Sequence, residues 1–280
     1  MLVMTLLGLY VLLVLNLAAV HGVAAATGYI RRDNKAEHAP GLIDIAMERK
    51  FTGQKQFGLD PFEGLSPWLM YAFLALYRLQ GLIASGLVKA ALSNLFGREI
   101  LRVYLDFAGL PIYMLINVYT TRVILRTARV VIMGRTAMDL ALRQLPPLRL
   151  DDGEKGLIYD TLQFISVNKR DFHPNHYYLA HAVFEHFAIP VERAHPLPPD
   201  YFDKLKEARQ DVAEICRLLI VMGFLLDGRL TGREHAHLDR LRALGILDIG
   251  HRDLERYCRN FVDGQGLCDL TRHLLYGTPP

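Results

Sequence analysis

The chain has 280 residues, 51% of them hydrophobic, a net charge of +3 and a positive mean hydropathy, which excludes an intrinsically disordered chain and makes a membrane segment the first thing to look for. From Leu150 onward lie 20 of the 29 acidic and 16 of the 32 basic residues, net −4, which leaves net +7 over residues 1–149. A basic, apolar first half and an acidic second half suit anionic lipid on one side only, and they exclude nucleic acid as the partner of the soluble half.

Residues 1–30 carry no Asp, Glu, Lys or Arg, a run long enough to cross a bilayer as a helix. No basic segment precedes the apolar stretch, as a secretory signal would have, so the expectation is an uncleaved transmembrane anchor. Arg31, Arg32 and Lys35 follow at once and place what comes after on the cytoplasmic side. Residues 31–64 carry several turn signals and read as a linker with a short amphipathic helix near Leu42–Arg49. Residues 65–121 contain two long apolar runs broken by few charges, with Trp68, Tyr71 and Tyr77 suited to a membrane interface. They read as a transmembrane or re-entrant helical hairpin.

Residues 122–149 carry Arg122, Arg126, Arg129 and Arg135, with Asp139 the single acidic residue. Arg122, Arg126 and Arg129 share one helical face. The reading is a basic juxtamembrane helix whose arginines contact anionic head groups, against the alternative of an ordinary solvated face. "LPPL" at 145–148 ends it, because proline cannot continue a helix and disfavours one just before it. The domain boundary falls there.

Residues 150–280 read as an all-α helical-bundle domain, with apolar residues at helical spacing over 156–168, 176–188, 201–226, 233–244 and 252–276. Shifting the chain by 58 residues lays "KRDFHPNHYYLAHAVFEHFAI" on "DGRLTGREHAHLDRLRALGIL", so the domain is expected to be an internal repeat of two helical units, each burying the other's apolar stripe. Cys216, Cys258 and Cys268 are odd in number and form no C-x-x-C. That points to a reducing compartment rather than a disulfide framework.

"LLDGRLTGRE" has the spacing of the second half of a calcium loop. With Gly228 at loop position 6, Asp227 is position 5 and Glu234 position 12, but positions 1 and 3 are Gly223 and Leu225, which have no side-chain oxygen. The same residues make a better structural motif. Asp227-Gly228 ends one helix, and Thr231 with Glu234 is a capping box that starts the next. On this reading glutamine at 234 serves nearly as well as glutamate.

The stretch "LLIVMGFLLDGRLTGREHAHLDRLRALGI" resembles the signature of tellurite-resistance TerB-like domains, through Asp227, Gly228, Leu230, Thr231 and Glu234. The resemblance is specific over residues 215–247. It implies an all-helical, internally repeated domain, often fused to membrane regions and linked to stress response at the bacterial membrane. The first copy has Lys169, Arg170 and His176 where the second has Asp227, Gly228 and Glu234.

Nine of the eleven histidines follow residue 150. His176, His181 and Glu185 are a candidate metal-ligand set, although His181, Glu185 and His186 miss zinc-protease spacing by one residue. No nucleotide-binding or hydrolase motif occurs, and no cofactor is expected. The expectation is therefore a non-enzymatic, membrane-tethered interaction or scaffold module of the bacterial inner membrane, possibly stress-associated, with its C-terminal domain cytoplasmic. Its partners would be anionic lipid and either a protein or a second copy of itself. The alternative is a metal-dependent membrane enzyme using the cluster from His173 to His186.

Overall fold

The computed structural model describes residues 2–27, 29, 57–59, 99–145, 148–169 and 173–276. Among them the chain is helical without strands: α1 (Leu2–Ala26), α2 (Glu99–Gln144), α3 (Asp152–Lys169), α4 (Pro174–His186), α5 (Tyr201–Glu207), α6 (Gln210–Leu225), α7 (Gly232–Ala243), α8 (His251–Val262) and α9 (Cys268–Tyr276). One compact unit takes residues 1–61 and 124–280. A second takes residues 62–123, of which 99–123 are described, as helix.

The core forms around α6. Every residue from Val212 to Leu225 except Glu214 and Arg217 is buried, as a helix apolar on all sides must be. α3, α5, α8 and α9 flank it. α3 comes closest at Gly223, where a Cβ would lie 2.6 Å from Ile165 Cγ2, so glycine there sets the spacing of the two helices. Thr161, buried on α3, pairs with the Tyr201 hydroxyl at 3.0 Å and bonds back to Leu157 O at 2.8 Å.

Two long periodic stretches are divided in the structure. Residues 201–226 break at Ala208, which is extended (φ −63°, ψ 152°). Residues 252–276 break where Gly264 and Gly266 take φ of +92° and +78°, a conformation that glycine adopts without the cost other residues incur. The 58-residue repeat is visible in the helix starts: His173 is the N-cap of α4 and Thr231 that of α7.

The helix expected as a separate juxtamembrane element instead packs into the core. The prolines do end it, at Gln144, yet Val130, Ala137, Met138, Ala141, Leu142 and Leu145 belong to the main apolar cluster. The compact unit therefore begins well before residue 150, because one face of this basic helix is apolar. Asn175 fixes the contact. Its Nδ2 donates to Val130 O (2.9 Å) and Leu226 O (2.7 Å), and Gly134 leaves the room it needs.

On α1, Val20 and Ala24 pack with Ile124, Ala128, Val131 and Ile132 of α2 in a second apolar cluster. Earlier on α1, Tyr10, Val11, Val14 and Leu15 are exposed. Among the described residues no helix is long and apolar enough to cross a membrane. The side chains of α1 are described only from Tyr10 onward. The uncharged length of the whole helix, 25 residues, therefore bears on anchoring as a property of the sequence. Most of the hairpin expected over 65–121, the linker over 31–64 and its short helix lie outside the described residues.

Candidate functional site: a lysine clamped between two helix ends

The turn from α6 to α7 gathers the repeat into one polar centre. A helix end leaves carbonyls without intrahelical partners, and here side chains of the first repeat copy satisfy them. His176 Nε2 meets Gly223 O at 2.7 Å, Lys169 Nζ donates to Phe224 O at 3.1 Å, and Asn175 donates to Leu226 O. The remaining carbonyl, Leu225 O, accepts from Gly228 N at 2.8 Å, which Gly228 permits by taking φ +70°.

At the start of α7 the capping box is complete. Glu234 N donates to Thr231 Oγ1 (3.3 Å), and Thr231 N donates to Glu234 Oε2 (2.8 Å). Asp227 Oδ1 accepts from Arg229 N at 3.1 Å. Each carboxylate then has one oxygen left, and both turn to the same ammonium. Lys169 Nζ lies 2.7 Å from Asp227 Oδ2 and 2.9 Å from Glu234 Oε1. With Phe224 O, all three donors of the ammonium are used. Its side chain is only 2% exposed.

Asp227 and Glu234, read from sequence as positions 5 and 12 of a calcium loop and then as caps, are both caps and anionic ligands. Their cation is a lysine of the other repeat copy, at the position equivalent to Asp227 itself. Opposite charges at equivalent positions of the two copies thus lock one copy to the other. The charges also suit the helix ends, with the ammonium beside the carbonyl end of α6 and Glu234 in the first turn of α7.

The histidines disperse. His173 caps α4 by accepting from Asn175 N at 3.2 Å, and burial, with positive neighbours, pulls its pKa down to about 3. His176 turns inward to Gly223 O, whereas His181 and Glu185 are exposed and lie 3.6 Å apart. The set His176, His181 and Glu185 therefore does not converge, because a helix turns the first and the other two to different sides. Among the described residues no group of three or more His, Cys, Asp or Glu side chains could hold a metal ion.

The arginines also find protein partners. Arg126 donates to Gly228 O and Arg129 to Val262 O, each at 3.3 Å. The Arg135 guanidinium lies over the rings of Tyr29 (5.4 Å) and Tyr178 (5.1 Å). Arg122 is exposed. Burial raises the Cys216 thiol to about 12 and the Cys258 thiol to about 11, so both stay protonated and unreactive at neutral pH.

A second polar centre was not visible in the sequence. His195, in the proline-rich connector, has Nε2 2.7 Å from Asp160 Oδ1 and Nδ1 3.1 Å from Glu192 Oε2, and stacks on Tyr159 at 3.8 Å. Burial lowers its pKa, but the two carboxylates outweigh this and the net shift is upward. Its backbone N–H holds Gly58 O at 3.0 Å, while Tyr159 donates to Phe57 O. The centre therefore pins residues 57–59 to α3. An open cleft of about 700 Å³ beside it is lined by Asp151, Glu154, Asp160 and His195 among others.

The fold and its centre define a class: an all-helical domain of two interlocked repeat copies, neutralised internally by one lysine. No family model, no curated protein and no solved structure matches the chain.

Proposed function

We propose that the chain is a non-enzymatic, membrane-tethered interaction module, with a TerB-like helical domain held at the cytoplasmic face of a bacterial inner membrane. The observation that carries this reading is the Lys169 centre. The groups that would make a metal site are already saturated by an ammonium of the same chain, which leaves them a structural task. Dispersal of the histidines removes the support for the metal-enzyme alternative.

Support for the tether comes from α1. It is uncharged over its full 25 residues, enough to span about 30 Å of hydrocarbon at 1.5 Å per residue. Its exposed side chains include Tyr10, Val11, Val14 and Leu15, of which Tyr10 is 65% exposed. Four such neighbours on one helix are costly in water and suited to lipid. The cluster with Ile124 and Ala128 then couples this helix to the domain.

The reading is tested by alkaline carbonate extraction of membranes holding the full chain or a chain without residues 1–26. The full chain should stay with the membrane, and the shortened one should release at least in part. Complete release of the full chain would refute the tether.

A further inference from the structure

The arginine face of α2 continues onto the domain. Arg126 and Arg129 reach Gly228 O and Val262 O. A Cβ on Gly228 would touch both Val130 and Val262, so the α6–α7 turn and the end of α8 meet over α2. Arg229 follows Gly228, and Arg259 lies one turn before Val262. All four arginines are exposed. The acidic groups at this face are Asp227, already tied to Lys169, and the exposed Asp263. The face is therefore net positive, although the domain as a whole is acidic.

Its level along α1 is set by the second apolar cluster. Ile124 and Ala128, which bracket Arg126, pack with Val20 and Ala24. A hydrocarbon core takes about 20 helical residues. Counted from Leu2, it ends near Val20, so the arginines fall at the depth of the head groups.

We infer that this face, made by Arg126, Arg129, Arg229 and Arg259, holds the domain flat against a bilayer of anionic phospholipid. The inference rests on the membrane tether proposed above and adds its lipid and its contact surface. Arg135, stacked between two tyrosines, takes no part. Each basic residue at an anionic surface is worth roughly fivefold in the docked population, and salt weakens the contact.

The test places the full chain in nanodiscs of phosphatidylcholine, with and without phosphatidylglycerol, and follows backbone hydrogen exchange over residues 228–232 and 262–266. Exchange there should slow in the anionic discs only. The slowing should fade with added salt and disappear in the double variant R229E/R259E, which alters exposed side chains alone. Equal exchange in both discs, or slowing that survives the double variant, would overturn the docking face while leaving the tether standing. Failure of the wild-type chain to enter either disc would overturn both.

Discussion

Gly134 lies inside α2, where helix propensity alone favours alanine by about 1 kcal/mol. The structure reverses that sign. A Cβ at 134 would stand 2.0 Å from Asn175 Nδ2 and 2.4 Å from its Cγ. Asn175 is fully buried, and its amide bonds Val130 O at 2.9 Å and Leu226 O at 2.7 Å. To reach van der Waals distance the amide must retreat by more than about 1 Å, which breaks both bonds. Each buried group left unpaired costs about 1–3 kcal/mol. Gly134→Ala should therefore destabilise the domain by about 2–4 kcal/mol after the propensity gain. Urea unfolding of the full chain in detergent, followed by circular dichroism, measures it. In an Asn175→Ala background the obstruction is gone, and the same Gly134→Ala change should stabilise by up to about 1 kcal/mol. If Gly134→Ala stabilises the wild-type protein, the account of how α2 is fastened to the domain is wrong.

Thr231→Ala removes the N-cap of α7 and should cost about 0.5–2 kcal/mol, with a thermal melt that calcium does not shift. Glu234→Gln keeps the capping box but gives up a charge facing Lys169, so its cost should exceed the near-neutral effect the cap alone implies, at about 1–3 kcal/mol. Stability should also fall as pH drops. His173 binds its proton only near pH 3 in the folded state but near 6.5 when unfolded, so between these values acid favours unfolding by up to about 1.4 kcal/mol per pH unit. His173→Asn, which can still cap, should flatten that slope in pH-dependent urea melts. His195 acts in the opposite sense. Its folded pKa is raised, so its contribution is full below about pH 6.5 and is lost as pH rises through the raised value. The amides of residues 57–59 should then exchange faster, and unchanged exchange there would count against the His195 clamp.

What the sequence made legible was local. Thr231 and Glu234 are three residues apart, so the capping box and the helix start it signals are readable as text. The prolines after Gln144 and the helical periodicity are local in the same way. The Lys169 centre is not, because its partners lie 58 and 65 residues along the chain. Looking for oxygen ligands missed it, since the occupant of the site is an amine. One signal did exist: the 58-residue shift sets a lysine on an aspartate. Gly134 and Asn175 are 41 residues apart and only their packing explains the glycine. The basic helix concealed its apolar face because arginines drew attention to the opposite side. Gly264 and Gly266 were legible as a break, but helical spacing on both sides concealed it.

The claim that Lys169 supplies the cation of the α6–α7 turn is tested most directly by a double-mutant cycle. Lys169→Met alone strands two carboxylates, one of them on buried Glu234, and should cost about 3–5 kcal/mol. Combining it with Asp227→Asn and Glu234→Gln removes the stranded charge, and most of that loss should return. Equilibrium unfolding of these chains should therefore give a coupling of at least about 2 kcal/mol. Additive costs, with no coupling between the lysine and the two carboxylates, would contradict the account.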